Sequence, residues 1–315
     1  MSALPPLGTR VAVRFRLPPG SEPPLSDAVG HLLAVDPLVR VRTKTGAVVQ
    51  FPAAAVLTVR RLTDVPVRNS QIRAVEHAAA LGFPGTESAW LHGWLLRAGQ
   101  GVSARANSAI PLERGTSFAA VPAIVDWYVA RGLTPLFAIP DRMVSLRDDT
   151  PVECETRTLV TDLAPAPAAP AAVTLADAPD ADWLADYARA VPAAVLTAVR
   201  GPGAVCFARH PAGAVARGVI TESADGTRWV GLSELRVAPA ARRGGLGTAV
   251  GTAVLAWAAR RGVTRGYAAV REDGAGGHDD LLGLLTALGF TGQHRCRYVR
   301  TEAIWSGPTS RRSPR

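Results

Sequence analysis

The residues best suited to chemistry stand in one segment, 235–248, where arginines and glycines follow a predicted strand. Leu235 and Val237 would share one face of that strand, and Pro239 would end it because proline has no amide hydrogen for the ladder. Three glycines then allow a tight turn whose N–H groups converge on one point: Gly244, Gly245 and Gly247. A helix predicted over 248–261 directs the positive end of its dipole at the same point. The segment therefore predicts a site that binds a pyrophosphate.

Two arginines, Arg242 and Arg243, add positive charge beside this turn. The spacing Arg242-x-x-Gly245-x-Gly247, placed between a strand and a helix, resembles the coenzyme A signature of the GNAT acyltransferase superfamily. An ordinary strand-to-helix connection with the same residue types is the alternative interpretation.

The elements that follow the turn are also similar to GNAT proteins. The pattern predicts a strand over 264–270, a helix over 279–288 and a further strand around 296–300. The second helix ends at Gly289-Phe290, as it does in that superfamily. The resemblance implies an acetyl-CoA-dependent N-acetyltransferase that acts on a primary amine, with acetyl-CoA as its cosubstrate.

The resemblance also implies how the coenzyme would lie. The edge of the strand would pair with the pantetheine arm, a main-chain N–H near Val237 would face the thioester carbonyl, and the glycine turn would bind the pyrophosphate. The implied coenzyme-binding residues are Leu235, Val237, Arg242, Arg243, Gly244, Gly245, Leu246, Gly247 and Thr248.

A glutamate and two tyrosines are candidates for proton transfer. Glu234 precedes the strand's apolar pair and would act as a base through a water, because an amine is only about one part in a thousand neutral at pH 7. The alternative is that Glu234 pairs with an arginine on a solvated sheet face. Many GNAT enzymes protonate the departing thiolate with a tyrosine four residues before Gly-Phe, but this chain has Leu285 there. Tyr298 and Tyr267 are the candidate replacements. A structural core role is the alternative for each, and solvent is another source of the proton.

The acceptor side is expected in the preceding part of the chain. Arg105 and Asn107 would recognise a carboxylate and orient an amine, or would serve as a surface pair and a turn residue. Most of the chain resembles an actinobacterial GNAT family with an N-terminal barrel whose members are described as N-acetylglutamate synthase-like. The resemblance implies a small amino acid such as glutamate as acceptor. Alternatives are a protein or peptide amine, and a non-catalytic module that senses acyl-CoA or binds nucleic acid.

The domain organisation is predicted to be mixed α/β, with a small antiparallel β-barrel followed by two GNAT-like α/β halves. Short β-like runs predict the barrel over 1–67, which resembles Src-homology and Tudor barrels. The half over 68–163 lacks the glycine signature and would be a degenerate, acceptor-side half. A Pro/Ala linker over 164–172 leads to the catalytic half over 173–303, which carries the coenzyme site, and a basic tail over 304–315 is predicted to be disordered.

Within the first half, helices are predicted over 71–81 and 117–131, with a strand over 136–139. A hairpin is predicted around the turn Gly99-Gln100-Gly101.

Composition limits the other classes. The net charge of +9 comes almost wholly from arginine, since Lys44 is the only lysine, and with the many alanines this indicates coding bias more than a selected basic patch. Nucleic acid is therefore not the expected partner. If it does bind, residues 1–70, with nine basic and four acidic residues, are the expected binding region. The favoured interpretation is that this barrel packs against its own catalytic domain. Three scattered cysteines and the His spacing predict neither disulfide nor metal. With no signal-like or membrane-spanning stretch, a cytoplasmic enzyme with a small-molecule amine acceptor is expected.

Overall fold

The structure is a computed structural model that describes residues 4–5, 7–62, 67–147, 149–163, 170–272 and 278–305. The chain folds as two compact units, Met1–Val67 and Arg68–Arg315. Most of the predicted Pro/Ala linker and most of the predicted tail lie outside the described residues.

The first unit is a five-stranded antiparallel sheet with the order β4-β3-β2-β1-β5. Its strands are β1 (Arg10–Arg16), β2 (Leu25–Ala34), β3 (Leu38–Thr43), β4 (Val48–Pro52) and β5 (Val56–Arg61). Alternate residues point inward, so that Val11, Val13, Val39 and Val41 are buried together with Phe51. The predicted antiparallel N-terminal sheet is confirmed, with a β2 that starts earlier than its apolar run indicates.

The second unit is built on an eight-stranded sheet with helices on both faces. Its elements are α1 (Asn69–Gly82), β6 (Glu87–Leu91), β7 (Trp94–Ala98), β8 (Ile110–Pro111), α2 (Val121–Val129), β9 (Leu136–Pro140), β10 (Cys154–Asp162), β11 (Thr174–Ala176), α3 (Ala181–Tyr187), α4 (Ala193–Thr197), β12 (Ala204–His210), β13 (Ala214–Glu222), β14 (Arg228–Val237), α5 (Leu246–Ala259), β15 (Arg265–Arg271), α6 (His278–Ala287), β16 (Thr291–Arg300) and α7 (Thr301–Ile304). The mixed α/β class is therefore confirmed.

The large sheet has the order β11-β12-β13-β14-β15-β10-β16-β9. Strands β14 and β15 are parallel, and the other pairs are antiparallel. Strands β9 and β10 come from the predicted first half, yet β10 lies between β15 and β16 of the predicted second half. The predicted boundary at 164–172 therefore falls within one continuous sheet.

Helices cover this sheet on both faces because neighbouring strand residues point in opposite directions. Val230 belongs to the core that α5 covers with Val250 and Trp257. The adjacent Trp229 packs instead against Val75 of α1. Each fully buried side chain of this size stabilises the fold by about 1.5–3 kcal/mol.

The predicted antiparallel pairing across Gly99–Gly101 is present, since β7 pairs with β8 through Trp94 opposite Pro111, but a long loop and not a tight turn joins these strands. The tight hairpin is β6-β7, with Leu91 opposite Trp94 and the two-residue turn His92-Gly93. Both turn residues have positive φ, 47° and 82°, as a two-residue turn that matches strand twist requires. Histidine is an uncommon first residue of such a turn, so residue types alone do not indicate this one.

The parallel pair β14-β15 separates after a short contact. The two strands pair only over Trp229–Gly231 and Arg265–Tyr267, while β14 continues to Val237 beside β13 alone. The Tyr267 ring lies over Gly231, where an added Cβ would be 2.4 Å from the ring, so only glycine fits. A bulge follows in the pairing of β14 with β13, and in it Glu234 has a φ of 52°. The separated strands leave the edge of β14 without a strand partner among the described residues.

Two carboxyl groups meet on β10 and at the end of β15. Burial and a hydrogen bond to Glu272 raise the pKa of Glu155 to about 6, with Arg295 opposing this and Asp141 adding to it. Burial would raise the pKa of Glu272, but the hydrogen bond from Glu155 and the nearby Arg157 hold it below its ordinary value. Below about pH 6 the pair therefore shares one proton, which Glu155 carries.

The raised pKa predicts a pH dependence of stability. Because the folded pKa of Glu155 exceeds its unfolded value, its contribution is complete below about pH 4.3 and is lost as pH rises through about 6. Glu155→Gln keeps a hydrogen-bond donor without the titration, so its free energy of unfolding should fall less than that of the wild type between pH 5 and 7, measured in urea. Glu153→Gln, which removes an exposed carboxylate paired with Arg300, is the control. Equal pH slopes in Glu155→Gln and the wild type would contradict the shared proton.

Candidate active site

A cleft of about 520 Å³ lies where β14 separates from β15. Its lining comprises Arg189, Leu235, Arg236, Val237, Arg242, Arg243, Gly245, Leu246, Gly247, Thr248, Val270, Arg271, Asp280, Leu281 and Leu284. Five arginines stand against one aspartate, so the cleft has a strong positive charge. Eight of the nine predicted coenzyme-binding residues line it; Gly244 does not.

The glycine turn joins β14 to α5 through backbone that few residues adopt. Arg243 and Gly245 have φ of 63° and 76°, and α5 begins at Leu246 with Gly245 as an N-cap that has no side chain. Within the described residues, no backbone N–H from Arg243 to Thr248 donates a hydrogen bond to the protein. These amides and the positive end of a 14-residue helix therefore leave a place for an anion.

Gly247 has a different task from Gly245. A Cβ at Gly247 would be 2.4 Å from Leu284 of α6 and 3.4 Å from Val237, whereas nothing lies within 4 Å of a Cβ at Gly245. Gly247 lets α5 approach its neighbours, and Gly245 supplies the left-handed turn and open space above it. A doubly phosphorylated group such as that of coenzyme A fits this arrangement.

Glu234 lies on the bulge of β14 and is almost wholly buried. Arg105 donates from Nη2 to Glu234 Oε1 at 2.7 Å, and the Tyr187 hydroxyl donates to Oε2. Arg189, a cleft residue, lies 3.9 Å from the same Oε2. The Arg105 guanidinium also stacks over Phe83, 4.5 Å from the ring centroid. The carboxylate thus has an arginine partner, as the alternative interpretation held, but in a buried place and not on a solvated face.

Burial would raise the pKa of Glu234, but Arg105, the Tyr187 hydrogen bond, Arg217 and Arg189 together hold it below its ordinary value. Glu234 is therefore ionised at neutral pH. Burial and the adjacent Glu234 carboxylate raise the pKa of Tyr187, so its hydroxyl keeps its proton and remains a donor. Ser233, one residue before Glu234, has a buried hydroxyl with no hydrogen-bond partner in the described part of the chain.

Arg217 lies fully buried on β13, opposite Ser233 at the edge of the bulge. It donates to the carbonyls of Leu196 at 2.5 Å, Gly82 at 2.9 Å and Ala198 at 3.3 Å. Burial lowers the pKa of Arg217 to about 10, so it stays charged at neutral pH. Arg217 thus binds the C-terminal ends of α1 and α4, and its positive charge helps to lower the pKa of Glu234.

Four further predicted site residues, Glu234, Arg105, Tyr298 and Asn107, do not line the cleft. Glu234 and Arg105 contact each other next to the cleft residues Leu235 and Arg189, whereas Tyr298 and Asn107 lie elsewhere.

Tyr298 is buried near the end of β16, opposite Cys154 and Ala138. Burial raises the pKa of Tyr298, which makes its hydroxyl a poor acid. These surroundings agree with the alternative interpretation of Tyr298 as a structural core residue.

Asn107, predicted to orient an amine, organises its own loop. Its Oδ1 accepts from the amides of Gly99 at 2.7 Å and Gly101 at 2.9 Å, and its Nδ2 donates to Ser103 at 2.7 Å. These bonds use most of its capacity and hold the loop that carries Arg105. These contacts agree with the alternative interpretation of Asn107 as a turn residue. Arg105 is bound to Glu234, so its guanidinium is not free to bind an acceptor carboxylate.

Three residues of the site were not found by sequence reasoning: Tyr187, Arg189 and Arg217. A weak signal existed for two of them. Trp183 and Tyr187 are four residues apart, which places two aromatics on one helix face, and Arg217 interrupts an otherwise apolar strand. Neither pattern indicates the bulge that brings them to Glu234.

No group of three or more metal-ligating side chains occurs among the described residues. No helix in the described ranges is long and apolar enough to cross a membrane.

Comparison with known proteins identifies two matching families. Residues 69–299 match the family described as "Probable histone acetyltransferase Rv0428c C-terminal", and residues 5–60 match "Rv0428c N-terminal Sm-like domain". The probable histone acetyltransferase Rv0428c of Mycobacterium tuberculosis (strain ATCC 25618 / H37Rv) is 45% identical over 306 residues, which cover 96% of this chain and 98% of that protein.

Solved structures of low identity are also similar. A GCN5-related N-acetyltransferase from Kribbella flavida is 18% identical, with a TM-score of 0.48 and coverage of 72% of this chain and 94% of that one. A putative acetyltransferase of the GNAT family from Novosphingobium aromaticivorans DSM 12444 is 13% identical, with a TM-score of 0.48 and coverage of 72% and 98%.

The turn geometry predicts a difference between two neighbouring glycines. Gly245→Ala places a Cβ in a left-handed conformation that costs about 1–2 kcal/mol, so the turn should distort and acetyl-CoA affinity should fall roughly five- to thirtyfold. Gly244→Ala is the control, because its Cβ would meet only the Ala241 carbonyl oxygen at 3.5 Å. Calorimetric titration of both variants measures the effect. Equal affinities in the two variants would contradict a role for the Gly245 turn.

Proposed function

Since this chain belongs to the family of the probable histone acetyltransferase Rv0428c and is an acetyltransferase of the GNAT type, we propose that it transfers an acetyl group from acetyl-CoA to a primary amine of a protein or peptide. The observation that carries the proposal is the run of unpaired amides from Arg243 to Thr248 at one end of a positively charged cleft. The pyrophosphate of the coenzyme is the anion that this arrangement would hold.

Acetyl-CoA supplies the activated thioester, and the chain's own residues supply position and charge. The open edge of β14 over Leu235 and Val237 would align the extended arm of the coenzyme, and Arg242 and Arg243 would pair with its phosphates. A main-chain N–H near Val237 would donate to the carbonyl oxygen as negative charge develops on it. Positioning of this kind supplies most of the gain in a direct transfer.

Glu234 would act on the acceptor amine. An ionised carboxylate beside the cleft attracts the ammonium group of the acceptor. A water bound to the carboxylate takes the ammonium proton and passes it to solvent. The depressed pKa of Glu234 keeps the carboxylate ionised over the neutral range, which suits attraction of an ammonium group, but it also makes Glu234 a weak base, so the proton is passed on to solvent. Solvent would also protonate the departing thiolate, because Leu285 is a buried core residue and Tyr298 lies away from the cleft lining.

A protein or peptide amine is favoured over free glutamate for two reasons. The relative at 45% identity is named a probable histone acetyltransferase. The argument for glutamate depended on Arg105 and Asn107, which are engaged with Glu234 and with the loop backbone.

A thiol-release assay with acetyl-CoA tests the acceptor class. We expect turnover with a lysine-containing peptide and little with free glutamate or lysine. Turnover with free glutamate alone would overturn the peptide proposal and favour the small-molecule acceptor. Tight coenzyme binding without turnover on any amine would favour a sensor of acyl-CoA over an enzyme.

Glu234→Gln should lower kcat/KM by about 10²–10⁴ while acetyl-CoA affinity stays within about twofold, because the amide keeps the shape but neither attracts an ammonium nor takes its proton. Glu222→Gln, at an exposed end of β13, is the matched control and should retain activity. Full activity of Glu234→Gln in the thiol-release assay would remove Glu234 from the mechanism.

The hydrogen bonds to Glu234 predict a shift in the pH profile. Arg105→Gln and Tyr187→Phe each remove an interaction that lowers the pKa of Glu234, so the acidic limb of kcat/KM should move to higher pH, more for Arg105→Gln. Tyr128→Phe removes a buried hydroxyl that bonds the Arg97 backbone and should leave the limb in place. An unmoved limb in both site variants would show that ionised Glu234 does not control the rate.

A further inference from the structure

The outer face of the N-terminal sheet carries a group of arginines without partners. Alternation along the strands turns the apolar residues of β1 and β3 inward and the intervening residues outward. The exposed outward arginines are Arg14, Arg16, Arg40, Arg42 and Arg60. Arg14 has a carboxylate partner, Asp27, at 3.4 Å. The other four, here called the basic face, form no ion pair with any residue that the structure describes.

Several arginines of the second unit form ion pairs, as in Arg131–Glu87, Arg147–Asp149, Arg209–Asp186 and Arg300–Glu153. Others, such as Arg242 and Arg260, are exposed without a carboxylate partner among the described residues. What distinguishes the basic face is that its four unpaired arginines lie on one face of one five-stranded sheet.

The register of the strands sets the size of the basic face. Arg40 and Arg42 lie two residues apart on β3, hence about 7 Å along one face, and Arg60 lies on β5, three strand spacings or about 14 Å away. Arg42 lies directly opposite His31 of β2, so the histidine side chain lies on the same face of the sheet. Arg42 and Arg10 are both in register with His31, so Arg16 lies six residues, or about 20 Å, further along the strand direction than Arg42. The basic face therefore extends about 14 Å across the strands and at least about 20 Å along them. Phosphates of one DNA strand follow each other every 3.4 Å along the axis, so a face of this size allows each arginine to contact a different phosphate.

The face has the wrong residues for single-stranded nucleic acid. Proteins that bind single strands stack bases on exposed aromatic rings. The two aromatics of this sheet, Phe15 and Phe51, are buried and stack on each other with centroids 3.9 Å apart. The exposed apolar residues of this sheet are aliphatic, such as Val29 and Val48.

We propose that the basic face binds the phosphate backbone of double-stranded DNA without sequence preference. Four guanidiniums that lack internal partners would each contact a phosphate and release a counterion. A plot of log affinity against log salt concentration should therefore have a slope of about −3 to −4. The affinity should drop roughly 100-fold between 50 and 200 mM salt. This proposal is independent of the acetyl-transfer reaction.

Fluorescence anisotropy of the full chain with a labelled DNA duplex tests the proposal. A variant with Arg16→Gln, Arg40→Gln, Arg42→Gln and Arg60→Gln should lose at least tenfold in affinity at low salt, with a much flatter salt slope. The matched control carries Arg131→Gln, Arg147→Gln, Arg209→Gln and Arg300→Gln, which change the net charge equally, and should stay within about twofold of the wild type.

Three results would overturn it: no binding of the duplex by the wild type at low salt, equal losses in the two variants, or tighter binding of single-stranded RNA than of the duplex. Unchanged acetyl-CoA affinity and an unchanged thermal midpoint of the first variant would verify that both units remain folded. If the first variant unfolds, the pair Arg40→Gln and Arg42→Gln, with a smaller expected loss of affinity, replaces it.

Discussion

Two neighbouring strands of the central sheet, β14 and β15, pair over three residues and then separate, and the site depends on that separation. Tyr267 lies over Gly231 at the last point of contact, and the bulge at Glu234 follows. A continuous parallel ladder would have filled the space of the cleft and satisfied the edge of β14. Because the strands part, one strand edge, a row of helix-start amides and a buried carboxylate meet in the same place.

Electrostatics holds this arrangement together. Glu234 lies among Arg105, Arg189 and Arg217, and a single carboxylate with several cations remains ionised even when buried. The same contacts connect distant parts of the chain, since Arg105 precedes Glu234 by 129 residues. The loop around Asn107 therefore contributes to the site by fixing Arg105. Removal of one partner from such a buried pair is costly, because it leaves a charge without compensation.

Sequence reasoning located the parts of the site that are local. The glycine turn, the strand before it and the helix after it depend on neighbouring residues, so spacing alone predicted them. Glu234 was found as a candidate by its place beside Leu235, but its burial and its contact with Tyr187 depend on a bulge that no spacing indicates. Arg217 was missed because its partners are carbonyls, which any residue type supplies. The tight turn at His92-Gly93 was missed because the glycines at 99 and 101 are stronger turn signals, although the strands on either side of those glycines do pair.

Strand β10 has a consequence for how this protein could be divided or rearranged. It lies between β15 and β16, although it precedes both by more than a hundred residues in the chain. A fragment that started after the Pro/Ala segment would contain β15 and β16 but not the strand between them. Both strands would then expose unpaired amides and carbonyls. The portion that holds the coenzyme signature is thus not a transplantable cassette. Gene fission at that proline-rich segment would yield two pieces that must reassociate to complete one sheet.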